Sequence, residues 1–218
     1  MVENVLITGL KKAFDRKLAE AFVREAYRVF AIGDCEIAGV TLLPEDLAQA
    51  RALAEKKAGK IDLYIDVSDE RSDLDHFTIR SGLDEKVIRK LFEANVLRPM
   101  AALEAFLPLL DAGEGKRLCY LTSAEASVNE ARGIDGYAYK PGKAAMHNFF
   151  QMISNKLTPL SYTLRVYDPM FQEIAPEPAA EGALHYFIRR RGTENKNPLR
   201  DDETRLVFRD ALGREHPW

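Results

Sequence analysis

Cysteine is almost absent from these 218 residues: Cys35 and Cys119 are the only two. They lie far apart and outside any CxxC spacing, which excludes a disulfide framework and a zinc site and suits a reducing cytoplasm. Both are expected as core thiols, with no metal bound. An excess of one charge is lacking too. Lysine and arginine number 31 against 34 acidic residues, a net of −3, so there is no basic footprint for nucleic acid or an anionic membrane, and small partners fit better. No apolar run approaches the ~18 residues of a membrane span. The opening MVENVLITGL has no charged segment leading into an apolar one, so the cytoplasm is the expected compartment. With no internal repeat or low-complexity tract, one domain over 1–218 is expected, long enough to bury a single core.

Short apolar runs alternate with helical periodicity along the whole chain. Val5-Leu6-Ile7, stopped by Thr8-Gly9, is followed by Phe14, Leu18, Phe22 and Ala26 at helical spacing. Val29 to Ile32 then completes a βαβ unit. Leu43-Pro44-Glu45-Asp46 opens a second helix, closed by Lys56-Lys57 and Gly59. Further strands are predicted at 61–65, 118–121, 162–167 and 204–208. Between them fall helices over 85–110, interrupted by Pro99, from Pro141 onward, and over 176–191. The polar stretch 68–84 is expected as a solvated loop, and Arg189-Arg190-Arg191 as a solvated helix end. The alternation specifies an α/β class: a Rossmann-type doubly wound parallel sheet flanked by helices.

Such sheets bind ligands beyond the carboxyl ends of their strands, and four segments fall there. They are Thr8-Gly9-Leu10-Lys11-Lys12-Ala13-Phe14-Asp15, then Asp66-Val67-Ser68-Asp69, then Thr122-Ser123, then Tyr139-Lys140-Pro141-Gly142-Lys143. Tyr139 and Lys143 lie one helical turn apart on one face, so an ammonium can sit near the phenol. Lowering a tyrosine from about 10 by ~3 pH units needs ~4 kcal/mol, which a charge ~4 Å away supplies at an effective dielectric of ~20. Pro99 lies four residues after Asn95 and cannot donate to its carbonyl, which frees that oxygen. Any helix can carry Tyr and Lys four apart on its surface. Here, however, the pair follows a strand ending in serine.

In that order the segments resemble the short-chain dehydrogenase/reductase series TGxxxGxG, NNAG, catalytic Ser and YxxxK, with a helical Asn before the Ser. The resemblance covers nearly the whole chain, with a helix and part of a strand missing between Asp34 and Thr41. It implies an NAD- or NADP-dependent oxidoreductase that reduces a carbonyl or oxidises a secondary alcohol. Tyr139 would be the acid/base, Lys143 its activator and a ribose ligand, Ser123 the partner of the substrate oxygen (with Thr122 as a substitute), and Asn95 the holder of a proton-relaying water. Thr8, Gly9, Lys12, Ala13, Phe14, Asp34, Asp66 and Pro169 would join Lys143 around the cofactor. Asp34 resembles the acid that takes ribose hydroxyls and Lys12 the base that takes a 2′-phosphate, with the balance toward NAD. Homodimers or homotetramers through the helices 85–110 and 141–156 are implied as well.

Two departures favour an alternative, a non-catalytic scaffold or binding protein on the same fold, and binding of another nucleotide stays open. Only Gly9 remains of the three turn glycines. Asp15 stands at the third, where each phosphate charge at ~6 Å would repel it by ~3 kcal/mol at an effective dielectric of ~20; an acid at a helix start otherwise points to water. The NNAG counterpart ends in Asp69 instead of glycine. Ser123 lies 16 residues before Tyr139, Met170 replaces the glycine of a Pro-Gly step after Pro169, and the segment beyond it is short, which predicts a reduced lid and an open site.

Overall fold

A computed structural model describes residues 2–34, 36–189, 202, 203 and 205–218. In it, β1 (Asn4–Leu10), β2 (Arg28–Gly33), β3 (Val40–Leu42), β4 (Leu63–Asp66), β5 (Arg117–Leu121), β6 (Thr163–Asp168), β7 (Phe208–Asp210) and β8 (Glu215–His216) form one sheet in the order β3-β2-β1-β4-β5-β6-β7-β8. All pairs are parallel except β7 with β8. The order reverses between β1 and β4. At such a switch point the crossovers leave in opposite directions and open a crevice.

The central strands are buried on both faces, as a parallel sheet covered by helices requires. One face is covered by α1 (Ala13–Arg24) and α6 (Pro176–Ile188), where Phe14, Leu18 and Phe22 at 4-residue spacing meet Ala180, Leu184 and Phe187. The other face holds α2 (Leu47–Ala58), α3 (Glu85–Phe92), α4 (Arg98–Asp111) and α5 (Tyr139–Leu157), with Val96, Phe106, Met146 and Phe150 in its core. Asp46 caps α2, accepting from the Gln49 amide at 2.8 Å, and Gly59 closes it at φ 73°. Pro44 therefore precedes that helix and lies outside its first turn.

Three sequence expectations are corrected. The last strand lies at Phe208–Asp210, not 204–208, and turns into the antiparallel β8, whose follower Trp218 packs edge-on against His147 at 4.9 Å. The stretch 68–84 is not wholly solvated, because Asp69 and Asp75 are buried. Arg189 is paired with Asp202 at 2.7 Å and is not a free helix end, while Arg190, Arg191 and Cys35 lie outside the described residues. Cys119 is a buried free thiol, and burial pushes it up to about 12. Among the described residues no helix is long and apolar enough to cross a membrane, and no group of three or more His, Cys, Asp or Glu is placed to hold a metal.

Candidate active site

The switch point sets Thr8 at the end of β1 beside Asp66 at the end of β4, and the Thr8 hydroxyl donates to Asp66 Oδ2 at 2.7 Å. Asp66 Oδ1 accepts from the Ser68 amide at 3.0 Å. Burial nevertheless raises its carboxyl above the ordinary range. Gly9 follows at φ 85°, and a Cβ there would lie 2.6 Å from Ser68 Oγ, so the turn needs glycine for its conformation and for this approach. A cavity of about 560 Å³ opens here, walled by Thr8, Ile32, Leu47, Val67 and Ala102 among others.

Asp15 is not directed to water: 1% of it is exposed. From the third position of α1 its Oδ2 accepts from the backbone amides of Lys11 and Lys12 at 2.8 and 2.7 Å, the reach back that an acid at this position makes to a helix start. Its Oδ1 is buried without a partner. Burial pushes the carboxyl up to about 6 in spite of the two amides and the Lys12 charge.

Beyond β4 the segment 68–71 runs across the cleft, pinned by Asn95. The Asn95 amide accepts from the Glu70 N–H and donates to the Glu70 carbonyl, both at 2.8 Å. Asn95 lies in a π-helical turn, Glu93–Leu97, which leads into α4 with Pro99 near its start. Pro99 is expected to interrupt the helix here; the side-chain clamp by Asn95 is an addition that the sequence does not announce.

The clamp places Asp69 among cations and a phenol. Lys12 Nζ reaches Asp69 Oδ2 at 2.7 Å, Lys143 Nζ lies 3.7 Å from Oδ1, and Arg71 Nε lies 3.6 Å from Oδ2. Burial alone would raise this carboxyl, but Lys143, Lys12 and Arg71 outweigh it and hold it below the usual range. Tyr139 donates its hydroxyl proton to Asp69 Oδ1 at 2.5 Å, Arg71 Nη2 donates to the phenol oxygen at 2.9 Å, and the Arg71 guanidinium lies 3.9 Å from the ring centroid. Lys143, 2% exposed, donates to the carbonyls of Ser68 at 2.5 Å and Leu121 at 3.3 Å.

Tyr139 and Lys143 thus meet at the carboxyl edge of the sheet, on the turn where α5 begins. Asp75 caps that turn from a distance, accepting from the amides of Ala138 and Tyr139 at 3.0 and 2.9 Å. The phenol differs from expectation. It is 4% exposed, and burial, then the Asp69 charge, raise its pKa well above the ordinary value, the opposite of a lowering by Lys143.

Ser123 lies at the end of β5, where its Oγ accepts from the Glu125 amide at 3.3 Å, and it is not hydrogen-bonded to Tyr139. Thr122 lines the cleft beside it but engages His147 Nε2 at 2.5 Å through its hydroxyl. A second cavity, of about 610 Å³, is bounded by Ser123, Asp69, Arg71, Met170, Phe171 and His216. Ala13 and Phe14 also line it, Phe14 edge-on to Phe171 at 5.3 Å. Pro169 is buried between Asp168 and Met170, and Met170 holds the left-handed conformation, φ 53°, that glycine favours. The C-terminal hairpin supplies one wall through Asp210, Arg214 and His216, a contribution with no motif to announce it. Asp34 is exposed just past β2.

No established family model matches the sequence. A curated relative, the rhamnolipids biosynthesis 3-oxoacyl-[acyl-carrier-protein] reductase of Pseudomonas aeruginosa, is 25% identical over 188 residues, 83% of this chain and 72% of its own. Among solved structures, the carbonyl reductase Sniffer of D. melanogaster superposes with a TM-score of 0.81 at 14% identity, over 100% of both chains. A carbonyl reductase from Pseudomonas aeruginosa PAO1 in complex with NADP gives 0.78 at 18%, again over 100% of both. An NADH-dependent reductase complexed with NAD gives 0.71 at 15%, over 85% of this chain and 88% of its own. The fold is that of the short-chain dehydrogenases/reductases, the family whose motifs the sequence resembles.

That fold implies a nicotinamide dinucleotide, and the residues fit it in part. The cavity beside Thr8, Gly9 and Asp66 is open to the adenosine end. A pyrophosphate would rest on turn amides at a helix N-terminus, and here Asp15 already takes the amides of Lys11 and Lys12. At the far end Asp69 takes the Tyr139 hydroxyl.

Proposed function

We propose that this chain is an NAD(P)-dependent oxidoreductase of the short-chain dehydrogenase/reductase type, acting on a small carbonyl compound or its secondary alcohol. The observation that carries the reading is the convergence of Tyr139, Lys143 and the Asn95-clamped segment 68–71 beside the Ser123-bearing strand end. The dinucleotide supplies hydride chemistry when bound. The chain supplies a proton held on Tyr139 Oη, which passes to the substrate oxygen, and the Ser123 hydroxyl, which can bond that same oxygen. A phenol whose pKa is raised in this way holds its proton too tightly for an efficient acid, so the role requires that the Asp69 contact be released when cofactor and substrate enter. Lys143, buried and 3.7 Å from the Asp69 oxygen that takes the Tyr139 hydroxyl, would act on the phenol through that carboxylate and would hold the ribose. Asn95 orders the wall between the two cavities.

Lys12 is held by Asp69 while Asp34 remains exposed at the end of β2, and this favours NAD over NADP. Assembly into dimers or tetramers through α4 and α5 is part of the same proposal, supported by the exposed Leu97 and Met152 beside and on those helices. Sedimentation at micromolar concentration tests it, and a monomer there refutes it. The test of the chemistry is Tyr139→Phe. With NADH or NADPH and a panel of aldehydes and ketones, turnover should fall at least ~100-fold while the circular dichroism of the native fold persists; equal rates would refute the role.

A second reading, a non-catalytic binding or scaffolding protein, is favoured by the same two carboxylates that fill the cofactor's stations. It predicts no nicotinamide consumption by the wild-type chain with any carbonyl substrate.

A further inference from the structure

We propose that Asp15 and Asp69 are built-in occupants of the dinucleotide site, competing with the cofactor at its pyrophosphate and nicotinamide-ribose stations, so that the cofactor enters only by displacing them. The proposal rests on the oxidoreductase reading for the identity of the ligand, but its residues are read from the structure alone. Asp15 and Asp69 stand at the two positions where the resembling motifs end in glycine. Glycine there leaves bare backbone; here each position carries a buried carboxylate turned into the cleft wall.

The two contacts are of the kinds a dinucleotide makes. Asp15 presents one oxygen to two consecutive amides at the start of α1, as a phosphate oxygen does. Asp69 accepts from a phenol and faces three cations, Lys12, Lys143 and Arg71, as a bound polyanion with ribose hydroxyls would. One carboxylate from the chain itself thus offsets part of the charge of three cations. The occupation is imperfect at Asp15, whose Oδ1 is buried with no partner, so an incoming phosphate that satisfies the same amides from the solvent side has something to gain. The segment carrying Asp69 is held by Asn95, which makes its displacement a local event between that clamp and Lys12.

Calorimetric titration of the whole chain with ADP, NADH and NADPH separates the two stations. Asp15→Gly should tighten both ADP and the dinucleotides at least ~10-fold, because ADP carries the pyrophosphate. Asp69→Gly should tighten the dinucleotides by a similar factor and ADP by clearly less, because ADP meets only the Lys12 side of Asp69 and not the Tyr139 and Lys143 side. If a glycine variant does not fold, Asp15→Ser and Asp69→Ser carry the same test with a short neutral side chain. Wild-type affinity for the dinucleotides equal to that of the variants overturns the proposal, and so does an Asp69 variant that gains for ADP as much as for NADPH. If the double variant binds dinucleotide tightly but consumes none with any carbonyl, the oxidoreductase reading fails and the built-in occupants stand. If the wild-type chain itself binds tightly and turns over, the oxidoreductase reading stands and the built-in occupants fall. No binding by any form overturns both.

Discussion

Replacing Asp15 by Asn keeps the shape of the side chain and an oxygen for the two turn amides, while removing a charge from a site with 1% exposure. The carboxyl has an ordinary value of 3.8 and is pushed up to about 6 in the folded chain. A raised value means that the folded state holds the proton more tightly than the unfolded state. The stabilising contribution is therefore fully present below about 3.8 and lost as pH rises through about 6. At 1.36 kcal/mol per pH unit the loss amounts to about 3 kcal/mol. The Asn variant has no proton to lose, and the amide nitrogen it places at the partnerless Oδ1 position adds a cost that does not change with pH. Urea unfolding of both proteins at intervals from pH 4 to pH 8 isolates the effect, because every other titrating group cancels in the difference. The variant should gain about 2 kcal/mol on the wild type across that range, most of it between pH 4 and pH 7. A difference between the two proteins that stays constant with pH would refute the account of Asp15 as a desolvated carboxylate.

His147 should show the opposite slope. Burial, then the Lys143 charge, lower it from 6.5 to about 4, so its contribution is present above 6.5 and lost as pH falls through about 4. His147→Gln should remove about 3 kcal/mol of acid-side destabilisation, read from the same urea series, and an unchanged slope would count against it. Ala26, exposed just past the end of α1, sits at φ 62°; Ala26→Gly should raise stability by roughly 0.5–1 kcal/mol, measured by thermal unfolding. A fall in melting temperature there would mean that the unfolded-chain entropy of glycine outweighs the relief.

Much of the architecture is legible in the sequence because its causes are local. The alternation of apolar runs with 3.6-residue periodicity specifies the parallel sheet, and Phe14, Leu18 and Phe22 announce the buried face of α1. Tyr139 with Lys143 and Asn95 with Pro99 are legible as pairs within one helix. What escapes depends on which distant residues meet. The bond from Tyr139 to Asp69 spans 70 positions and the clamp of Asn95 on Glu70 spans 25, and no periodicity encodes either. Asp75, which caps the start of α5, and the hairpin that walls the second cavity belong to the same class. Asp15 is within reach: with the helix starting at Ala13, an acid at its third position is a known signature of a side chain folding back onto the first amides. A direction toward water follows only without that boundary, which the apolar spacing from Phe14 to Ala26 does not fix.

The π-turn Glu93–Leu97 holds more residues than the same length of α-helix would need. Deleting one residue there would close the wide turn to ordinary α-helical spacing and rotate the residues within it, Asn95 among them, relative to the flanking turns, whose phase the wide turn now absorbs. Asn95 could then no longer address the Glu70 backbone while Val96 and Phe106 kept their places against the sheet. The irregularity works as a phase key: two helical halves with separate obligations, one to the sheet and one to the crossing segment, are kept in register with both by a single surplus residue.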